Sequence, residues 1–373
     1  MTIHLQVTNY KGIRVVDANP DGVCLIVGPN GVGKTTLLGA LELLRNTFLH
    51  GFGKALSYSG GSYGFLNFNL PSDTQTIFSL EIGGFIWELK PVINSGAIEY
   101  PVSESLKKDN STLFAVEPGV SQFQYKSDKF VIPANESALK RIYDYQKFDN
   151  ESEFEAFVQP LAHYQDYYNY HLWRLRKEGS FDGTENELKS SGENAFSVLR
   201  NWQTSRPKRE RYEFVIDVLR EAFPYFFDEL DFEKAGQTVS IRIFQPNSDK
   251  PISVFSVSNG FLVALLNLMA VCSVPDGGIV AIDEPENGLH PHAIRTMIEA
   301  IRERAAEHNL TVLLATHSPV VLNQFKEEPE KVYVMEQNET EQLIRLDKHR
   351  DPDWLIHFSL GDLYGNAFAR QEI

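Results

Sequence analysis

Gly28-Pro29-Asn30-Gly31-Val32-Gly33-Lys34-Thr35 satisfies every fixed position of the pattern G-x-x-x-x-G-K-[ST]. Glycines let the backbone close around an oxyanion with its N–H groups pointing inward. The Lys34 ammonium adds a point charge for terminal phosphates, and the Thr35 hydroxyl suits Mg²⁺. Asn30, Gly31, Val32, Gly33, Lys34, Thr35 and Thr36 are therefore the expected phosphate contacts, with Thr35 also an expected metal ligand. A second constellation closes the apolar run Ile279 to Ile282 with Asp283 and Glu284. Asp283 suits Mg²⁺, and Glu284 suits a base that takes a proton from attacking water. A third follows the apolar run Thr311 to Ala315, where His317 stands in Thr316-His317-Ser318-Pro319. At a strand end on the ligand edge of a parallel sheet, His317 would hydrogen-bond a γ-phosphate. Ser258 and Gly260 precede a long apolar helix, as an anion-binding nest or simply as a capping serine and a turn glycine.

These residues need elements that bring them together. Val23 to Val27 is continuously apolar, as in a central strand buried on both faces, and Thr35 to Arg45 has helical periodicity. Strand, glycine loop and helix thus follow one another directly. Ile3 to Thr8 alternates as a half-exposed strand, and Thr76–Ile82 with Phe85–Val92 flank Gly83-Gly84 as a hairpin. Val239 to Phe244, Ile279 to Ile282, Thr311 to Ala315 and Lys331 to Met335 are further expected strands. Phe261 to Cys272 and Ala293 to His308 are expected helices. From about Pro101 to Gln237 the pattern turns helical, as in Glu151 to Leu161 and Tyr212 to Phe223, around the polar stretch Gly179 to Gly192. The expected organisation is a first core part over 1–100, a mainly helical insertion over 101–237, and a second core part over 238–373.

The 373 residues carry a net charge of −15, which argues against wrapping duplex DNA by electrostatics alone. Only Cys24 and Cys272 occur, both in apolar runs, so no disulfide framework is expected and a reducing cytoplasm fits. The start, Met1 to Leu5, lacks a basic and then apolar leader pattern, and the run Phe261 to Val274 is too short to span a bilayer. No membrane association is expected.

Phosphate loop, Ser-x-Gly helix start, Asp-Glu strand end, Glu286-Asn287-Gly288-Leu289-His290-Pro291 and the Thr-His-Ser-Pro strand end occur in the order of ABC-type ATPase heads. The string Ile282 to Pro291 (IDEPENGLHP) with Thr316 to Pro319 resembles the AAA-type, ABC-related ATPases of OLD-family nucleases and RecF-like proteins. Asn9-Tyr10-Lys11-Gly12, Ser191-Gly192-Glu193-Asn194 and Leu360-Gly361-Asp362-Leu363-Tyr364 resemble other segments of that group. The resemblance implies an α/β P-loop NTPase of the ABC-ATPase head type, with a mixed sheet, flanking helices and a large mainly helical insertion. It implies ATP and Mg²⁺ as ligands, hydrolysis of ATP, and a homodimer that sandwiches ATP. Ser258 and Gly260 would then contact the γ-phosphate on the partner subunit, with Glu286 to Pro291 at the interface. The signature departs from the group in having Phe261 where Gln or Thr is commoner. The glutamine loop stays unassigned, Gln75 and Gln159 having no better claim than other glutamines.

For the whole protein the resemblance implies control of a separate effector, such as a nuclease in DNA-directed anti-phage defence. The alternatives are the ATPase subunit of a membrane transporter and an ATPase of DNA repair or maintenance. The Asn-Tyr-Lys-Gly opening, the insert and the IDEPENGLHP and THSP forms favour the first over transport. Nuclease chemistry is expected elsewhere than in this chain. The 56 residues after His317 are short for a further domain, and Asp351 and Asp353 flank Pro352 as helix-capping residues. DNA is a further candidate ligand. Tyr164, Tyr167, Tyr168, Tyr170, His171 and Trp173 run into Arg174, Arg176 and Lys177, with a second basic run at Arg206, Lys208, Arg209 and Arg211. Aromatics interleaved with cations suit single strands, and equally a core cluster beside a solvated face.

Overall fold

The computed structural model describes residues 3–65, 74–94, 97–109, 111–133, 135–147, 154–337, 342–355, 357–366 and 368–369. Its centre is a six-stranded sheet in the order Gln165–Tyr167, Ile279–Asp283, Thr311–Thr316, Val23–Val27, Val332–Met335, Leu343–Arg345. The first five strands run parallel and the last pairs antiparallel with its neighbour. Alternate residues of these strands enter two separate cores. Leu25, Val27, Val280, Ile282, Val312 and Leu314 belong to one, and Cys24, Ile26, Ile279, Ala281, Leu313 and Ala315 to the other. Side chains alternate along a strand, so a sheet covered on both faces demands unbroken apolar runs.

Helices Ala195–Thr204, Arg209–Ala222, Asn259–Ser273 and Pro291–Glu307 fill the first core. Asn259–Ser273 is buried nearly all round, as its uniform apolarity requires. Helix Lys34–His50 lies on the opposite face, under a second, antiparallel sheet. That sheet runs Ile13–Ala18, Ile3–Tyr10, Ile77–Ile82, Phe85–Lys90, Ser103–Lys108, Ser111–Val116. Gly83 and Gly84 make its tight turn, with φ of 59° and 80°.

Among its described residues the stretch 101–237 holds five α-helices, Ala138–Lys147, Glu155–Ala162, Leu172–Glu178, Ala195–Thr204 and Arg209–Ala222. Residues 151–153, expected to open the second of these, lie outside the described residues. The same stretch also supplies strands to both sheets, which its helical pattern did not announce. Ser103–Lys108 and Ser111–Val116 extend the antiparallel sheet, and Gln165–Tyr167 forms the edge of the parallel one. Glu229–Ala235 pairs with Thr238–Phe244. Apart from Ser111–Val116 these strands are rich in polar residues, and tertiary pairing outweighs their weak intrinsic preference. Glu104 shows how the stretch is tied down. Its buried carboxylate accepts from Trp87 Nε1, Ser137 Oγ and the backbone N–H groups of Ala138 and Leu139, capping helix Ala138–Lys147. No helix among the described residues is long and apolar enough to cross a membrane.

Candidate functional site

The loop after Val23–Val27 leaves the carboxyl edge of the parallel sheet, where open α/β sheets bind ligands. Gly33 has φ 116°, a conformation only glycine adopts without strain, and it turns the chain into helix Lys34–His50. Among the described residues no side chain caps that helix, which leaves its first N–H groups available to a ligand. Asn30, Gly31 and Thr35 are exposed, Gly33 and Thr36 partly so, while Val32 and Lys34 are buried. Lys34 Nζ donates to the carbonyls of Gly28 at 2.8 Å and Pro29 at 3.0 Å. Burial lowers its pKa, and Asp283, Glu284 and Glu286 oppose that shift.

Parallel pairing of Asp283 with Ala315, and of Thr316 with Val27, gathers three strand ends at one edge. Thr35 Oγ1 donates to Asp283 Oδ2 at 2.5 Å, so both expected metal ligands are already adjacent. Burial raises the Asp283 pKa, the Thr35 hydrogen bond opposes this, and Glu284 adds to it. Glu284 has φ 52°, rare for a residue with a side chain, and its N–H donates to the Ala315 carbonyl at 2.7 Å. Its carboxylate meets His317 Nδ1 at 3.3 Å and accepts from Asn287 Nδ2 at 2.8 Å.

Glu286 was read only as part of an expected interface, yet it belongs to this cluster. It accepts from Thr316 Oγ1 at 2.5 Å, and Thr316 Oγ1 in turn accepts from Ser318 N–H at 2.9 Å. This chain of bonds ties the loop after Asp283 to the loop carrying His317. The second oxygen of Glu286 is buried without a hydrogen-bond partner among the described residues, and burial raises its pKa. The sequence signal was an acid two residues past Glu284 and a hydroxyl just before His317.

Ser258 Oγ accepts from the Phe261 N–H at 3.2 Å, so Ser258 is the N-cap of helix Asn259–Ser273. Gly260 lies so close to the loop after Glu286 that a Cβ there would stand 2.1 Å from the Gly288 carbonyl oxygen. Gly260→Ala is therefore expected to lower stability by about 1–3 kcal/mol, as overpacking does. Thermal denaturation checks this, and an unchanged midpoint would contradict the close approach. Phe261 is fully buried, with ring centroids 5.3, 5.8 and 5.0 Å from those of Phe223, Phe226 and Phe227. The unusual signature residue is thus the anchor of an aromatic cluster. Ser258 and Gly260 start a helix on the opposite face of the parallel sheet from helix Lys34–His50.

Neither glutamine weighed for the glutamine loop joins the strand-end cluster. Gln75 accepts from Asn9 Nδ2 through its backbone carbonyl, and Gln159 bonds Glu155 within helix Glu155–Ala162. What flanks Asp283 and Glu284 is the end of edge strand Gln165–Tyr167. Tyr167 pairs with Ile282, so Tyr168 and Asn169 leave the sheet at the level of the two acids. The aromatic run divides accordingly. Tyr164, Tyr167 and Tyr170 donate to Leu38 O, Leu188 O and Asn267 Oδ1 as interior anchors. Tyr168 and Trp173 are 60% and 67% exposed, and Lys177 lies over the Trp173 ring. One contact had no sequence signal: the Tyr364 hydroxyl donates to the Gly28 carbonyl at 3.0 Å.

Fold and strand-end cluster together define a P-loop ATPase of the ABC/SMC-like AAA class. The chain belongs to the family described as "AAA domain, putative AbiEii toxin, Type IV TA system", whose model matches residues 23–323. No curated protein matches it at a significant level. Among solved structures, an SMC head bound to the C-winged helix domain of ScpA is similar over 91% of this chain and 96% of its own, with a TM-score of 0.52 at 11% identity. An SMC head domain from Thermotoga maritima covers 92% of this chain and 98% of its own, with a TM-score of 0.46 at 11% identity. The SMC head from Pyrococcus furiosus, bound to the C-terminal domain of ScpA, covers 91% and 95%, with a TM-score of 0.46 at 13% identity.

Proposed function

We propose that this chain binds MgATP at Gly28–Thr36 and hydrolyses it in a dimer that encloses two nucleotides. The observation that carries this reading is the convergence of Lys34, the Thr35–Asp283 pair and the Glu284–His317 pair on one sheet edge. Lys34 and the loop N–H groups bind phosphate, and Thr35 with Asp283 would hold Mg²⁺, which neutralises charge on the phosphate oxygens. Glu284 takes a proton from the attacking water, and His317, held by Glu284, contacts the γ-phosphate. Ser258 and Gly260 start a helix on the other face of the parallel sheet from the helix that follows the phosphate loop, which supports their contacting ATP on the partner subunit.

The dimer is tested by complementation. Lys34→Ala and Ser258→Arg are each expected to be inactive, while their mixture regains a composite site and part of the ATPase rate. Heterodimers that form and show no rate would refute the shared site.

The dimer is further proposed to switch a separate effector protein, a nuclease in anti-phage defence being the leading candidate. The family's description, which names a putative AbiEii toxin of a Type IV TA system, supports a setting with more than one component. Capture of partners on tagged chain in its host, with and without ATP, tests it. Recovery of a membrane permease would favour transport, and of chromosome-maintenance proteins the DNA maintenance alternative.

A further inference from the structure

Two carboxyl groups hold His317, each in its own way. Glu284 touches the ring directly, at 3.3 Å from Nδ1, with the two side chains 40% and 47% exposed. A contact so open to water is weak, and in the proposed reaction Glu284 also takes a proton, after which it attracts the ring less. Glu286 acts through the backbone. Thr316 is fully buried, and its Oγ1 accepts from the Ser318 N–H at 2.9 Å. That bond closes a turn with His317 at its centre, fixing the backbone from which the imidazole projects. A hydroxyl oxygen that accepts this bond sends its own proton elsewhere, and Glu286 Oε1 receives it at 2.5 Å, the hydroxyl's only acceptor among the described residues.

Glu286 is itself anchored. Asn287 N–H donates to the Glu284 carbonyl at 3.2 Å, Leu289 N–H donates to the Glu286 carbonyl at 2.9 Å, and Gly288 lies against Gly260. Oε2 has no partner among the described residues, so a proton favoured by burial has a place there and leaves Oε1 free to accept. Without this carboxyl the Thr316 hydroxyl is left an unsatisfied donor or turns to a new acceptor, and turning moves the lone pair aimed at Ser318.

We propose that Glu286 is a positioning residue for His317: through the Thr316 hydroxyl it holds the turn that keeps the imidazole at the γ-phosphate while Glu284 takes up the proton. The proposal deepens the ATPase reading and rests on it. It requires of Glu286 an acceptor oxygen, and neither a charge nor contact with the nucleotide.

Glu286→Ala removes the acceptor, and kcat should fall about 10- to 100-fold, as displacement of a group at the reaction centre does, with the KM for MgATP little changed. Glu286→Gln keeps an acceptor oxygen and should recover most of the rate. In a His317→Ala background, Glu286→Ala should lower the rate no further, because no imidazole is left to place. Equal losses in the two backgrounds, a Gln variant as slow as the Ala variant, or His317→Ala at the wild-type rate would each overturn the proposal. Should Glu286→Ala not fold, Thr316→Val keeps the side-chain shape, removes the hydroxyl and enters the same cycle, with Thr316→Ser as its conservative partner. A second measurement needs no ATP. Hydrogen exchange over Thr316 to Ser318, read by mass spectrometry on nucleotide-free chain, should quicken in Glu286→Ala and stay slow in Glu286→Gln. Exchange unchanged in Glu286→Ala would show that the turn does not depend on Glu286. Wild-type chain without ATPase activity would refute the ATPase reading, leaving hydrogen exchange as the test of the held turn.

Discussion

Glu284→Gln is expected to lower the ATPase rate by roughly 10²–10⁴-fold, the usual contribution of a positioned general base, while ATP binding persists. The carboxylate lies beside His317 and Asn287 and not against Lys34's loop carbonyls, so its loss removes a proton acceptor and no phosphate contact. The amide keeps the size of the side chain and still reaches both neighbours. Its φ of 52° is set by the backbone bond from Glu284 N–H to Ala315, which Gln retains. Blocked turnover with intact binding should trap a dimer with ATP enclosed, visible by size-exclusion chromatography with light scattering. Undiminished turnover would mean that another residue accepts the proton, the next candidate being Glu286, whose second oxygen is buried without a partner among the described residues.

Lys34→Ala is expected to weaken ATP binding on the order of 100-fold or more. A charge-assisted hydrogen bond contributes about 1.5–3 kcal/mol, and Lys34 is the cation of this loop. Thermal stabilisation reads the change directly. At ATP 100 times the wild-type Kd, binding stabilises the folded state by about 2.7 kcal/mol. A 100-fold weaker variant gains only about 0.4 kcal/mol at the same concentration. The nucleotide-free fold should survive, because Gly28 keeps the Tyr364 donor and Pro29 is partly exposed. A variant with the full wild-type shift would remove Gly28–Thr36 as the ATP site.

What was legible in the residues alone is whatever chemistry is built over a few consecutive positions. A phosphate cradle is made of adjacent backbone N–H groups, so Gly28 to Thr35 announces itself, as does an apolar strand ending in Asp283 and Glu284. The strands Val23–Val27, Ile279–Asp283 and Thr311–Thr316 were equally legible, since burial on both faces leaves each an unbroken apolar run of at least four residues. Other features needed the tertiary structure because their partners are far apart in the chain. Thr35 and Asp283 are separated by 248 positions, and Gly28 and Tyr364 by 336. The strands within 101–237 exist because neighbouring strands pair with them, and Gln165–Tyr167 is too short to carry a period of its own. Phe261 looked like a departure from a signature until Phe223, Phe226 and Phe227 closed around it. Local backbone geometry can be written into a short string, whereas the pairing of distant side chains is decided only when the sheet order and the two cores bring them within reach.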